Sequence, residues 1–406
     1  MRPKVLTVSE IFWPEGGGAE LAIRLIVEQL SRAGCEVTVV TGTGKPEPVP
    51  GVEFHYTSLL KASNRLIRWG LMEALAQQRW FMELLKSHDV LYVPLAAYPL
   101  IPPAKKHGLR VVVHLHNYAP VRYHGVKYYF EPDVLTLSQE LKLALYHELH
   151  AHRNPARVVL MPLSFALYKR SRAWIRQADT IICVSKKQAE IVAKSTPELA
   201  GKIRVAYNPI PPDLAGLKLE KALDEVPAFL YVGGDSYVKG FHLLLQTISK
   251  LGKEGVKTRF ILVNKYSLSS LKILKQFNEK YSKLSIQVLG RINHGKLIEQ
   301  QRRAWALLFP SILEEPLPYA VVESSILGTI PVASKIGGTV EILGDTVASK
   351  FLITPGDVNE LYISTKKVSE YDPKELFQFQ QKLSSMMLDK FDPTKISRDI
   401  LNIFTD

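Results

Sequence analysis

The chain has 406 residues, 46% apolar and 22% charged. That composition excludes a disordered chain, a collagen and a disulfide-stapled miniprotein, and at about 100–200 residues per domain the length fits two domains. Lys and Arg number 52 against 39 Asp and Glu, a net charge of +13, so phosphate-bearing partners are expected: nucleotides, nucleic acid or an anionic membrane surface.

In chain order, Lys4–Ser9 reads as a strand, and its short apolar run is no signal peptide. Three glycines follow, Gly16, Gly17 and Gly18. Residues 20–33 then carry Leu21, Leu25, Ile26 and Leu30 at helical spacing. A glycine-rich turn between strand and helix lets backbone N–H groups approach a phosphate or sugar, with a helix N-terminus adding partial positive charge. Glu36–Thr41 is β-branched and reads as the next strand. Residues 64–86 are apolar on most of their circumference, with Trp69 and Trp80 among arginines. They read either as a helix packed on the sheet or as one lying in a membrane interface. Val90–Val93, 110–114 and 180–184 are further strands, and 185–195 is a helix capped by Ser185.

Residues 208–226 carry Pro209, Pro211 and Pro212 and mark a boundary. Beyond it the alternation restarts, with strands at 228–232, 259–263, 285–289, Ala306–Phe309 and 329–333, then helices over 373–404. Alternating strand and helix implies parallel sheets covered by helices. Cys35 and Cys183 lie in apolar runs, so buried free thiols in a reducing, cytoplasmic compartment are expected.

The densest chemistry is at 310–323. Glu315 and Glu323 stand eight positions apart around Pro318 and Tyr319. A helix opening at Pro318 or Tyr319 would put both carboxylates at one cavity beside its N-terminus. A carboxylate accepting two sugar hydroxyls suits a ribose or a transferred sugar. Gly328, Pro331, Gly337, Gly338 and Glu341 follow.

Gly16 to Glu20, the run from Gly34 to Val40 and the run from Ala178 to Ser185 resemble the first half of the retaining glycosyltransferases of family 4. Tyr207-Asn208-Pro209, Lys239-Gly240, Leu289-Gly290-Arg291, Pro310-Ser311, the Glu315/Glu323 pair and the glycines after it resemble the second half. The ordered set covers most of residues 4–345. The resemblance implies an α/β GT-B fold, two Rossmann-like domains facing a central cleft. Residues 1–207 would bind the acceptor, residues 208–385 the nucleotide sugar, and residues 386–406 would return as a helix to the first domain.

The resemblance also implies roles. Glu323 would bind the ribose hydroxyls and Glu315 hydroxyls of the donor sugar. Lys239 would neutralise the diphosphate, with Gly17, Gly18, Gly233 and Gly234 also on the donor. His116 would reach the transferred sugar, although His114 stands two positions away. Glu315, His116 and Lys239 form the expected catalytic set. No metal and no cofactor are expected beyond the nucleotide diphosphate sugar, which is a substrate; no Asp-x-Asp occurs. Two departures stand out. Gly234 holds the place where the pattern has an Arg, which Lys265 or exposed amides would have to replace, and Pro318 stands where a glycine is usual.

The charge is uneven: residues 1–207 carry +10 and residues 208–406 carry +3. Residues 151–176 hold six bases, among them Arg153, Arg170, Arg172 and Arg176, and no acid. These four are the expected acceptor-binding bases. The expected activity is transfer of a hexosyl unit, with retention, to a glycan that is lipid-linked or membrane-associated, at the cytoplasmic face of an anionic membrane. Alternatives are a catalytically silent GT-B scaffold at such a membrane, or a sugar-nucleotide epimerase. Nucleic acid is not an expected partner, because no nucleic-acid-binding motif occurs.

Overall fold

The computed structural model describes residues 2–405 except 63, 153–155, 160, 217–218, 220–222 and 224. Two parallel sheets form two domains. The first contains β1 (Lys4–Ser9), β2 (Glu36–Thr41), β3 (Val52–Tyr56), β4 (Val90–Val93), β5 (Arg110–Leu115), β6 (Thr180–Cys183) and β7 (Ile203–Val205). Their order is β3-β2-β1-β4-β5-β6-β7. The second contains β8 (Ala228–Tyr231), β9 (Thr258–Val263), β10 (Leu284–Gly290), β11 (Ala306–Phe309), β12 (Ile330–Ser334) and β13 (Leu352–Ile353), in the order β10-β9-β8-β11-β12-β13.

Both sheets are covered on two faces, so their central strands are apolar throughout rather than alternating. Val5, Leu6 and Val8 of β1 are fully buried, as are all four residues of β8 and of β11 to within a few per cent. The helix Gly18–Arg32 buries Leu21, Ile23, Leu25, Ile26 and Leu30 on the first sheet. Cys35 and Cys183 are free and buried, and burial pushes the Cys183 thiol up to about 12.

Strand order reverses direction beside β1 in the first sheet and beside β8 in the second. In open parallel sheets the crevice at that point, beyond the carboxyl ends of the strands, is where ligands bind. The segments after β1, β5, β8 and β11 all reach this crevice. Each carries a motif singled out above.

The chain ends by crossing back. The helix Pro373–Lys390 packs on the second domain, where Ser384 Oγ donates to the Ile326 carbonyl at 2.6 Å. The helix Pro393–Thr405 lies against the helix Gly18–Arg32. Phe404 meets Tyr92 edge-on at 5.1 Å, and Arg110 donates to the Ile403 carbonyl at 2.7 Å.

Three strands escape the sequence reading. β7 and β13 are three and two residues long, and β3 has no fully buried residue. None offers an apolar run to read. The segment 64–86 is two helices, Arg65–Leu75 and Arg79–Ser87. Trp69, Met72, Leu75, Phe81 and Leu85 are buried in the first domain, while Leu66 and Ile67 are exposed. Among the described residues, no helix is long and apolar enough to cross a membrane.

Candidate functional site

A cavity of about 300 Å³ opens between the domains. Its walls include Gly18, His116, Asn208, Gly233, Lys239, Glu315 and Tyr319. Gly18 and Tyr319, 301 positions apart in sequence, therefore share one space.

The loop after β11 is held in shape by glycines. A Cβ on Gly337 would stand 2.2 Å from the Glu315 carbonyl oxygen, and one on Gly338 2.2 Å from that of Pro316. Gly337 also adopts φ +50°, which disfavours other residues. The Gly338 N–H donates to the Glu315 carbonyl at 2.8 Å, and the Gly337 N–H to Glu314 Oε2 at 2.6 Å. Gly240, at φ +80°, passes so close to Pro310 that a Cβ would stand 1.9 Å from its carbonyl oxygen. This contact seats Lys239 beside Glu315. Lys239 Nζ donates to Glu315 Oε1 at 2.5 Å, and Ser311 Oγ donates to the same oxygen at 3.1 Å.

The helix Tyr319–Ile326 starts straight after Pro318, and its N-terminus faces the glycine-rich turn of the first domain. A Cβ on Gly18 would stand 2.9 Å from the Tyr319 ring. Tyr319 also donates its hydroxyl to the Pro209 carbonyl. Gly17 caps the first helix, with its N–H given to Glu20 Oε2 at 2.7 Å.

Of the two histidines, His116 lines the cavity and His114 does not. His114 Nδ1 meets the Tyr92 hydroxyl at 2.8 Å, behind it. Burial lowers both: His116 to about 4, and His114 well below its ordinary value. Both are neutral at pH 7. His116 Nε2 is buried without a hydrogen-bond partner among the described residues, as is Asn208 Oδ1.

Glu323 lies one turn inside its helix and is 2% exposed. His294 Nε2 meets its Oε1 at 2.8 Å, and this bond raises the histidine's proton affinity. The Trp13 ring stands edge-on to His294 at 5.9 Å. Gly234 does not line the cavity. It sits at φ +62°, where a Cβ would stand 2.8 Å from the Lys265 carbonyl. The neighbouring Asp235 accepts from the Ser267 N–H at 2.8 Å and from Ser270 Oγ at 2.9 Å.

The basic run is placed on the surface of the first domain. Arg170 pairs with Glu73 at 2.6 Å, and Arg172 and Arg176 share Glu198 at 3.5 and 2.6 Å. Arg153 lies outside the described residues. No group of three or more His, Cys, Asp or Glu that could hold a metal ion occurs among the described residues.

Sequence reasoning missed His294 and the cross-domain role of Glu341. A lone histidine opening a helix carries no signal. Glu341 accepts from the Lys186 N–H at 3.0 Å, the Lys187 N–H at 2.5 Å and the Tyr207 hydroxyl at 3.1 Å. A carboxylate from the second domain thus caps a helix of the first. A second bridge comes from the insert after β5. Tyr128 pairs with Leu313 as an isolated antiparallel bridge, the Glu314 N–H donates to the Lys127 carbonyl at 2.8 Å, and Tyr146 and Tyr237 share a hydroxyl contact of 2.7 Å.

Residues 16–214 match the family described as Glycosyltransferase Family 4, and residues 219–376 match Glycosyl transferases group 1. The gpi3 subunit of the phosphatidylinositol N-acetylglucosaminyltransferase of Schizosaccharomyces pombe is 30% identical over 108 residues, which is 26% of this chain and 23% of that protein. The chain thus aligns with about a quarter of the length of that relative. Among solved structures, Anabaena HepE in complex with UDP and glucose superposes with a TM-score of 0.64 at 18% identity, covering 98% of each chain. Sucrose-phosphate synthase from Thermosynechococcus elongatus superposes at 0.69 and 16%, covering 98% of this chain and 97% of that one. These likenesses establish the fold, and with the two family matches they place the chain among the family 4-like glycosyltransferases of GT-B architecture.

Proposed function

We propose that this chain moves a hexosyl unit from a nucleotide diphosphate sugar to a glycan acceptor, with retention and without a metal, and that the acceptor is carried on a membrane lipid. The observation that carries the reading is the Lys239–Glu315 pair on the cavity wall, opposite neutral His116 and beside a helix N-terminus. Breaking the anomeric C–O bond leaves a diphosphate that gains charge. Lys239 and the first amides of the helix Tyr319–Ile326 are aimed where that charge develops. In this reading the diphosphate draws Lys239 away from Glu315, which frees the carboxylate to accept sugar hydroxyls. His116 donates or accepts a hydrogen bond at the sugar through its unpartnered Nε2. Glu323 keeps one oxygen on His294 and offers the other to the ribose.

A uridine donor is supported by the ligands bound in a similar structure, UDP and glucose in HepE. A lipid acceptor is supported by the +10 on the first domain and by the phosphatidylinositol-acting relative. The test is release of nucleoside diphosphate from a panel of nucleotide sugars, with lipid-linked and free glycans as acceptors. Transfer with the donor's anomeric configuration kept supports the reading. Donor binding without turnover, equal in wild type and in Glu315→Ala, supports a silent binding subunit instead. The observation on that side is Gly234 in the place of an arginine.

A further inference from the structure

A second cavity, of about 180 Å³, lies in the first domain. It is smaller than the ~300–1,000 Å³ of sites for drug-sized ligands, and so fits a single ring. Trp69, Tyr123 and Tyr168 give it aromatic walls, and Arg68, Asn117 and Ser171 its polar groups. The walls are fixed. Trp69 Nε1–H donates to the Ala96 carbonyl at 3.1 Å, and its ring meets Trp174 edge-on at 5.4 Å. Tyr123 stacks on Phe165 at 5.0 Å, and Tyr168 is 3% exposed.

Arg68 is the exception. Its Nε is buried without a hydrogen-bond partner, and its side chain forms no ion pair among the described residues. Arg24, Arg122, Arg170, Arg172 and Arg176 each meet a carboxylate. The acid that feels Arg68 is Glu10, whose carboxyl burial pushes up while Arg68 draws it down. Glu10 is itself occupied, accepting from the Ala96 N–H at 3.3 Å. Asn117 holds its Oδ1 on the Ala119 N–H at 2.8 Å, so its NH₂ group is a donor without a partner among the described residues. Arg170 and Arg172 stand behind the walls, over Trp174 at 5.0 Å and Tyr168 at 5.8 Å. Asn117 also follows His116 of the donor cavity in sequence, so the turn after β5 contributes a wall residue to each cavity.

An unmatched guanidinium, a free amide donor and aromatic walls select one kind of ligand. We propose that this cavity is the acceptor subsite and that Arg68 receives an oxyanion carried by the acceptor sugar, a phosphate or a carboxylate. The proposal rests on the glycosyltransferase reading above. A guanidinium fork matches either oxyanion with two parallel hydrogen bonds, while the rings cover the apolar face of the sugar.

The test titrates glucose 6-phosphate, glucuronate and glucose into the full chain by calorimetry, and measures UDP binding and donor turnover on the same samples. At least one anionic probe should bind wild type ten or more times tighter than glucose. Tighter glucose 6-phosphate identifies phosphate, and tighter glucuronate identifies carboxylate. Arg68→Gln should lose that preference with UDP affinity kept. Arg68→Lys, which keeps the charge without the fork, should fall between and serves if the first variant misfolds. Arg79→Gln, removing an exposed pair nearby, should change nothing. Equal binding of all three probes, or a preference that survives Arg68→Gln, overturns the proposal. If donor turnover persists in that case, the glycosyltransferase reading stands. Loss of UDP-sugar binding by the wild type would instead sink that reading.

Discussion

His116 shows how burial sets chemistry in single residues. Held to about 4 by desolvation, it stays neutral where an exposed imidazole would be part-charged, so it can face a diphosphate donor as a hydrogen-bonding group rather than a cation. The same shift makes the fold acid-sensitive. A histidine whose folded value lies below its unfolded 6.5 binds more protons when unfolded. The stability it allows is present above about 6.5 and is lost as pH falls toward 4, to the extent of about 3 kcal/mol. Urea unfolding between pH 4 and 7 should therefore show a steeper acid loss in wild type than in His116→Gln. His294 has the opposite sign. Its bond to Glu323 raises it, so its contribution is full below the ordinary value and fades as pH rises through the raised one. Gly240 is a backbone case. Gly240→Ala forces a side chain into left-handed backbone, at about 1–3 kcal/mol, and into the Pro310 carbonyl besides. Its melting temperature should drop sharply, and the Lys239–Glu315 pair should lose its seat.

At the element scale, the segment after β5 ties the first domain to the second. Its turn is knitted by a buried ion pair, Arg122 Nε to Glu131 Oε2 at 2.6 Å, with 4% and 0% exposure. Removing one partner of such a pair costs about 3–5 kcal/mol, because the other charge is stranded. Glu131→Gln should thus free residues 127–129 from 312–314. Amide hydrogen exchange should rise at both places, not at 122–133 alone; a rise confined to the insert would refute the coupling. Little of this was legible in the sequence. The insert holds the aromatics Tyr123, Tyr128 and Tyr129, but a pairing between 128 and 313 leaves no local pattern. The glycine-rich turn and Lys239-Gly240 were legible, because close backbone approach restricts residue type there; of the carboxylate pair, Glu315 lines the cavity and Glu323 is buried behind it on His294. The partners of the basic run were not legible, for the same reason as the pairing of 128 with 313. Arg170, Arg172 and Arg176 look unopposed in sequence, yet Glu73 and Glu198 reach them from elsewhere in the chain.

For the whole molecule, strand order and the chain's final crossing decide where the cleft lies. Among the contacts that span it are Tyr319 to Pro209, Glu341 to the helix Lys186–Ser195, and the pairing of the insert with 312–314. Glu341 alone satisfies two backbone donors and a tyrosine. Glu341→Ala should loosen the domains, seen as a larger radius of gyration in small-angle scattering, and should weaken substrate affinity more than it weakens the chemical step. The two-domain α/β architecture was legible from the repeated alternation and the prolines after 208. The clasp was not, because Glu341 reads as one more helical acid until the domains meet.

The central claim is that Lys239 and Glu315, facing His116 across the cavity, act on a nucleotide sugar. Nucleoside diphosphate release from a UDP-sugar panel, in wild type and Glu315→Gln, tests it most directly. The account predicts release with at least one donor, and a fall of about 10²–10³-fold in kcat in the variant with UDP affinity nearly unchanged. Equal turnover by the two proteins, or no release with any donor, would contradict it.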